Sequence, residues 1–359
     1  MRRRLRAKPG GSLALWLLSG LYGAGVWLRQ LAYDSGLRAS RKLPARTICI
    51  GNLTAGGTGK TPAVLLAARE LREARSSVAI LTRGYGRPKK GKNGERMRVL
   101  FKKAPPWEEV GDEPWMMHHA LKDVEVPIFV SPDRVRSGQA AIRHYHSQVL
   151  LLDDGFQHLR LRRDVDIVLL NALDPFGGGH LLPLGNLRES AHGLRRAHLA
   201  VITHADRVSE AELARLRETI AQLAPRLPVA EAAHRPDHLL DLKKEERHPL
   251  ERLRGTEVVT VCGLGEPQAF EEGVRGLGAA LAQRWRYPDH HPYDEAELRS
   301  IENVRRGMPL VTTFKDAARF PAGWRAILGG EVLALSVRME LTRGRELWEA
   351  ALRGERVPA

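Results

Sequence analysis

Residues 54–61, Thr54-Ala55-Gly56-Gly57-Thr58-Gly59-Lys60-Thr61, put glycines, a lysine and a hydroxyl in the order that suits phosphate binding. In a phosphate-binding loop, or P-loop, the glycines let backbone N–H groups wrap around phosphate oxygens. The lysine reaches the β- and γ-phosphates, and the hydroxyl meets Mg²⁺. The strict pattern has a glycine where Thr54 stands, but Gly51, Gly56 and Gly57 keep the turn glycine-rich. Its setting strengthens the match. The apolar run Ile48-Cys49-Ile50 precedes it, and a segment of helical periodicity, 62–72, follows, with Pro62 suited to a first helical turn. That order aims the N–H groups of a helix start at bound phosphates. A glycine-rich turn with a chance Gly-Lys-Thr would not need this placement.

A nucleotide carrying a metal also requires a carboxylate near the hydroxyl ligand. Leu150-Leu151-Leu152-Asp153-Asp154 supplies one, although alone it would read as a strand ending in a cap or turn. An acceptor group needs a general base and cationic clamps. Gly111-Asp112-Glu113-Pro114 offers Asp112, either as such a base or as a helix cap. In Pro288-Asp289-His290-His291, adjacent histidines point apart and no cysteine cluster supports zinc. A histidine that tunes a neighbouring carboxylate is the functional alternative there, and a solvated loop the plain one. Arg83-Gly84-Tyr85-Gly86-Arg87 and Asp133-Arg134 follow apolar runs, and Leu187-Arg188-Glu189 follows the glycine-rich stretch 177–185. Each stands where an α/β sheet binds anions, or is a basic turn in solvent. Thr203-His204-Ala205-Asp206 partly matches the Asn/Thr-Lys-x-Asp element that reads guanine, but His204 replaces the lysine and GTP is not inferred.

These residues need strands and helices to hold them. Apolar runs at 47–53, 77–82, 126–130, 148–153, 165–171 and 199–203 lack polar alternation, as expected of parallel strands covered on both faces. They predict an α/β fold with a doubly wound, mostly parallel sheet of P-loop NTPase type. A second set at 257–262, 310–313 and 332–337 lies beyond a charged, proline-containing stretch and predicts a smaller α/β domain. The expected division is a basic leader and membrane-associated helix (1–33), a P-loop domain (34–234), a linker (235–254), a second domain (255–340) and a C-terminal helix packing back on the first (341–359).

At 359 residues, 43% hydrophobic and 28% charged, the composition excludes a disordered tail, a collagen-like fibre and a multi-span transporter. Cys49 and Cys262, both in apolar runs, exclude a disulfide framework and fit a reducing compartment. The net charge of +15 points to an anionic partner: nucleic acid, acidic lipid or a phosphorylated substrate. Arg2, Arg3, Arg4, Arg6 and Lys8 precede an apolar run at 12–28 that carries Trp16, Tyr22 and Trp27. Basic residues ahead of interfacial aromatics suit a helix on anionic headgroups, and a buried core helix is the alternative. A secretory signal fits poorly, because 29–33 lacks a small-residue cleavage site.

Together the segments resemble the tetraacyldisaccharide 4'-kinases, which phosphorylate the lipid A precursor at the cytoplasmic face of the Gram-negative inner membrane. The resemblance rests on Gly51-Asn52-Leu53 through Pro62, Arg83-Gly84-Tyr85-Gly86, Gly111-Asp112-Glu113-Pro114, Asp153-Asp154-Gly155-Phe156-Gln157-His158, Leu182-Pro183-Leu184-Gly185-Asn186-Leu187-Arg188-Glu189 and Pro288-Asp289-His290-His291. It implies Asp112 as general base on the sugar 4'-hydroxyl, with His290 paired to it across a domain cleft. It implies ATP on residues 54–61 with Lys60 on the β/γ-phosphates, and Mg²⁺ on Thr61 with Asp153, Asp154 or Glu189. Arg188 would offset transition-state charge, and Tyr85, Arg87, Arg134 and Gln157 would meet the lipid headgroup. Phe314 stands where the family commonly has glutamate, and Ser190 where it commonly has proline.

The implied partners are the lipid A disaccharide precursor and anionic inner-membrane lipids, the latter through the N-terminal helix. The alternatives are a soluble P-loop kinase or GTPase acting on a small metabolite, and a nucleic-acid-binding ATPase. The basic residues lack the aromatic interleaving of a stacking platform, so no nucleic-acid partner is expected.

Overall fold

The computed structural model describes residues 11–84, 97–103, 105, 107–355 and 357, without the side chains of 11 and 12. Strand β1 (Arg46–Asn52) shows how the chain builds its centre. Side chains of successive strand residues point to opposite faces. Thus Ile48 and Ile50 enter one apolar cluster and Cys49 the other. Both faces of β1 are therefore covered, and six of its seven residues are buried.

Helix α1 (Gly11–Asp34) comes before β1. After β1 follow α2 (Lys60–Glu73), β2 (Val78–Thr82), β3 (Arg98–Leu100), α3 (Asp112–Ala120), β4 (Ile128–Val130) and α4 (Arg134–Tyr145). Next come β5 (Val149–Asp153), β6 (Val165–Asn171), β7 (Leu199–Thr203), α5 (Glu210–Leu223), β8 (Val229–Asp241) and β9 (Glu246–His248). The chain closes with β10 (Glu257–Cys262), α6 (Pro267–Gly276), β11 (Ala280–Arg286), α7 (Glu295–Arg305), β12 (Leu310–Thr313), β13 (Val332–Arg343) and α8 (Arg345–Arg353). Among the described residues, thirteen strands form one sheet in the order β11-β10-β12-β13-β8-β7-β6-β1-β5-β2-β4-β3, with β9 beside β8. The pairings among β1, β2, β4, β5, β6 and β7 are parallel, as expected of unbroken apolar runs, and β3 adds an antiparallel edge on β4.

Half of the stretch 235–254, expected as a linker, is strand. β8 runs on past β7 and pairs antiparallel with β13 over registers from Asp241↔Leu333 to Glu231↔Arg343, and β9 folds back on it. Here charge and Pro236 mark a half-exposed ribbon, and a proline can sit where the ladder shifts register. This ribbon joins the P-loop strands to β10–β12, which carry apolar clusters of their own on both faces.

Helix α8 returns to the first group of strands. Trp348 is fully buried there, and its Nε1 donates to Glu70 Oε2 of α2 at 2.7 Å, while Arg345 pairs with the same carboxylate at 2.8 Å. At the other end of the chain, α1 lies against the loop 181–188. Ser19 Oγ donates to the Leu181 carbonyl and Tyr22 Oη to the Arg188 carbonyl, both at 2.9 Å, and Arg29 reaches the Gln157 carbonyl. Gly23 makes the approach possible, since a Cβ there would lie 2.8 Å from Leu181 Cδ1. The outer face of α1 is left apolar and exposed, with Trp16 at 63%, Leu21 at 72% and Trp27 at 61%. Among the described residues, no helix is long and apolar enough to cross a membrane.

Replacing Trp348 removes a large buried side chain and one of the two donors to the Glu70 carboxylate. Trp348→Ala is expected to cost about 3–5 kcal/mol, read as a lower urea midpoint with an unchanged slope.

Candidate active site

The loop after β1 is shaped by its backbone. Gly59 is the residue before α2, has φ +76° and leaves the helix start without a side-chain cap, so the first N–H groups of α2 are available to an anion. Neighbouring strand ends hold the loop. Asn52 Nδ2 donates to the Thr54 carbonyl at 2.8 Å, Ala55 N to the Asn186 carbonyl at 2.7 Å, and Thr203 Oγ1 to the Thr58 carbonyl at 3.1 Å. Thr54, Ala55, Gly56, Gly57, Thr58, Gly59, Lys60 and Thr61 thus form a contiguous turn at the carboxyl edge of the parallel strands, as expected of a P-loop.

The carboxylates from the next strand, β5, split into two roles. Asp154, with φ +52°, faces Lys60 Nζ at 3.8 Å and takes Arg188 Nη1 on both oxygens at 2.8 Å. Burial pushes this carboxyl up, but Lys60 and Arg188 outweigh it and hold it below the usual range. Asp153 is buried, accepts from Thr82 Oγ1 at 2.9 Å, and is pushed up to about 7 by burial and by Glu113 and Asp154. Glu113 is raised too, by burial and then by Asp112. Asp153 and Asp154 carry hard carboxyl oxygens of the kind Mg²⁺ takes, and Thr61 follows Lys60 in the first turn of α2, so the residue types suit such an ion.

Glu189 is placed differently. Its oxygens are already engaged, one by Gln157 Nε2 at 2.8 Å and the other by Arg196 Nη2 at 2.7 Å. Gln157 also donates to the Asn52 carbonyl at 2.8 Å, which ties β1 to the 187–189 segment. Among the described residues, no group of three or more His, Cys, Asp or Glu side chains is arranged to hold a metal. Arg134 is buried, with Nη1 donating to the Pro132 carbonyl at 3.1 Å, and Asp133 caps α4. Tyr85 and Arg87 lie outside the described residues.

Asp112 starts α3, preceded by Gly111 at φ +95°. One of its oxygens accepts from Glu113 N at 2.9 Å, a helix-start contact. The other lies 3.2 Å from His290 Nδ1 and 3.2 Å from Arg319 Nε. Asp112 is the first residue of α3 and Gly111 stands at the cap position, so the carboxylate does not cap the helix and instead faces His290 and Arg319. His290 arrives from the far side of the ribbon in a left-handed conformation, φ +61°, with Nε2 3.3 Å from Lys315 Nζ. Burial raises the Asp112 pKa, but the bond from His290 and the Arg319 charge more than offset this, so the carboxyl sits below its ordinary range. His291 instead stacks on Tyr287 and bonds Glu297.

Residues 11–354 match a family model described as tetraacyldisaccharide-1-P 4'-kinase. The chain belongs to the tetraacyldisaccharide 4'-kinase family. The tetraacyldisaccharide 4'-kinase of Elusimicrobium minutum is 44% identical over 347 residues, covering 96% of this chain and 92% of the relative. That of Anaeromyxobacter dehalogenans strain 2CP-C is 39% identical over 358 residues, with 97% and 93% covered. The crystal structure of the "apo" form of LpxK from Aquifex aeolicus in complex with ATP matches with a TM-score of 0.76 and 30% identity, covering 96% of this chain and 99% of that one. As a member of the family the chain is a kinase, with the expected mostly parallel α/β fold.

Several residues of this kinase site carry no sequence signal. Arg319 sits in an apolar stretch, Ala317-Ala318-Arg319-Phe320, that no motif marks, yet its side chain is only 2% exposed and meets Asp112. Asp316 anchors the same wall by accepting from Tyr293 Oη at 2.9 Å and Gly263 N at 2.8 Å. Tyr22 and Ser19 were legible only as interfacial or small residues of an apolar run.

Removing one member of a buried ion pair leaves the other charge unmatched. In Arg319→Met, unfolding by denaturant is expected to show a loss of about 3–5 kcal/mol. The Asp112 pKa should rise with a cation gone, so if the ionised carboxylate is required, the acidic limb of the kcat/KM profile moves to higher pH.

Proposed function

We propose that this kinase transfers the γ-phosphoryl group of ATP to the 4'-hydroxyl of a tetraacylated disaccharide 1-phosphate in lipid A biosynthesis. The observation that carries this reading is the buried Asp112 carboxylate, met by His290 from across the ribbon and grouped electrostatically with Lys60 and Asp154 through Glu113. A carboxylate kept ionised by its neighbours is open to a proton leaving the hydroxyl in the transition state. Asp112 takes the hydroxyl proton as the new O–P bond forms, and the bond between the γ-phosphorus and the bridging oxygen breaks to release ADP. His290 holds the accepting oxygen in place and shares the proton's charge.

Phosphoryl transfer is mostly positioning and charge compensation. The 54–61 loop and the free N–H groups of α2 cradle the phosphates, and Lys60 reaches their β/γ oxygens. Arg188 compensates developing charge from its seat on Asp154. Mg²⁺ supplies charge neutralisation when bound, and Thr61, Asp153 and Asp154 are the residues that would hold it; Glu189 would join only by releasing Gln157 or Arg196. Tyr85, Arg87, Arg134 and Gln157 are assigned to the headgroup side.

The chain is further read as a P-loop domain at 34–234 and a smaller domain at 255–340, joined through 235–254, with 341–359 packed on the first. The exposed apolar face of α1, beside the loop that carries Arg188, supports docking on the cytoplasmic face of the inner membrane. Substrate acyl chains would stay in the bilayer while the headgroup rises into the site.

Incubation with γ-labelled ATP and tetraacyldisaccharide 1-phosphate is expected to yield a bisphosphorylated lipid, and no product would overturn the assignment. Asp112→Asn should lower kcat by about 10²–10⁴-fold, and an unchanged kcat would remove Asp112 from the role. Lys60→Ala should abolish ATP-dependent transfer. Deleting residues 1–30 should release the protein from anionic vesicles in a flotation assay, whereas retained binding would place the membrane contact elsewhere.

A further inference from the structure

The short helical turn Phe314–Ala317 follows β12, and it and the two residues after it supply the two cations beside Asp112 and His290. Arg319 meets the carboxylate, and Lys315 meets the imidazole. Thr313 Oγ1 donates to Asp316 Oδ2 at 2.6 Å and accepts from Asp316 N at 3.1 Å, which fixes the start of the turn. Arg319 Nε donates to the Lys315 carbonyl at 3.0 Å, and its Nη1 to the His291 carbonyl at 3.3 Å. The turn is thereby fastened to the loop that carries His290.

Hydrogen-bonding capacity decides what Lys315 does to that ring. A lysine ammonium carries three donors and no acceptor, whereas an ionised carboxylate only accepts. Lys315 Nζ lies 3.3 Å from His290 Nε2, so Nε2 presents its lone pair to the ammonium. Asp112 Oδ2 lies 3.2 Å from His290 Nδ1, so Nδ1 carries the hydrogen and donates it. The opposite tautomer would set an N–H against the ammonium and a lone pair against the carboxylate. A doubly protonated ring would still turn an N–H on the ammonium. Asp289 steadies the arrangement from the side: its Oδ1 accepts from Lys315 Nζ at 3.4 Å, while its Oδ2 stays 3.9 Å from His290 Nε2, too far for a hydrogen bond. The His290 side chain is 44% exposed, so enclosure does not hold the ring and its two polar neighbours must.

We propose that Lys315 is a positioning residue for the phosphoryl transfer: its ammonium, bonded to His290 Nε2, fixes the ring in the tautomer that donates from Nδ1 to the Asp112 carboxylate. Without that ammonium the ring is free to take the Nε2–H form, whose Nδ1 lone pair repels Asp112, and the accepting oxygen loses a donor. The inference rests on Asp112 as the base of the proposed reaction, and the test reads the tautomer separately from the activity.

Nitrogen NMR of the intact protein carrying isotope-labelled histidine reports which ring nitrogen bears hydrogen, and His290→Gln identifies the His290 signals by their loss. The unaltered protein should show His290 protonated at Nδ1, and Lys315→Met should shift the ring toward Nε2–H. In lipid phosphorylation, Lys315→Met should lower kcat about ten-fold or more, within the range that misplacing a reacting group costs, with KM for ATP unchanged. Lys315→Arg, which also only donates, should keep the tautomer and most of kcat. Added to His290→Gln, Lys315→Met should lower kcat no further. An Nε2–H ring in the unaltered protein overturns the proposal, and so does an unchanged kcat in Lys315→Met. A full further loss on top of His290→Gln overturns it too, since the lysine would then act on substrate or phosphate itself. Should the unaltered protein show the Nδ1–H ring but form no phosphorylated lipid, the reading of the reaction falls and the tautomer assignment stands.

Discussion

A carboxylate out of water must be matched by opposite charge or it takes up a proton. Asp112 is such a carboxylate; Arg319 supplies the opposite charge and His290 lies within hydrogen-bond distance, and both come from beyond the β8–β13 ribbon. The ionised form of Asp112 is therefore favoured while the two groups of strands are held in this relation. The ribbon, continuous with both, fixes that relation through a long antiparallel ladder. Asp316, Tyr293 and Gly263 then fix Arg319 from behind, through an ion pair and the bonds that hold Asp316. Packing behind Arg319 thus bears on the protonation state of Asp112, a residue of a different part of the sheet.

The phosphate loop depends on a different kind of support. Its glycines provide a backbone path but no rigidity, and its shape comes from side chains on neighbouring strand ends. Asn52, Thr203 and the 186–188 segment each bond a loop carbonyl or N–H. The 187–189 segment in turn carries Arg188 to Asp154 and Glu189 to Gln157 and Arg196, and it receives Tyr22 of α1. One short stretch thereby connects the nucleotide loop, the acidic strand end and the helix with the exposed apolar face.

How much of this was legible in the sequence followed from how local each signal is. Parallel strands buried on both faces write themselves as apolar runs, so β1, β5, β6, β7, β10 and β12 were placed within a residue or so. The loop and Asp153-Asp154 were legible because chemistry and position coincide in a few consecutive residues. β11 was not, since it is an edge strand whose residues are mostly exposed, and charge interrupts its pattern. β8 was hidden by Pro236 and its flanking charges, which mark half-exposed ribbon as readily as linker. Arg319 had no local signature at all. It meets a partner more than two hundred residues away, Asp112, and only the sheet order brings them together.

Helix α8 is made last of the described elements, yet it seals the core over α2, the helix that begins at Lys60. During synthesis, the nucleotide loop leaves the ribosome long before Trp348 does. Until then Glu70 and the apolar surface around Ala67 and Leu71 have no cover from α8. The core beneath the helix that begins at Lys60 is thus closed by a segment that follows it by nearly three hundred residues.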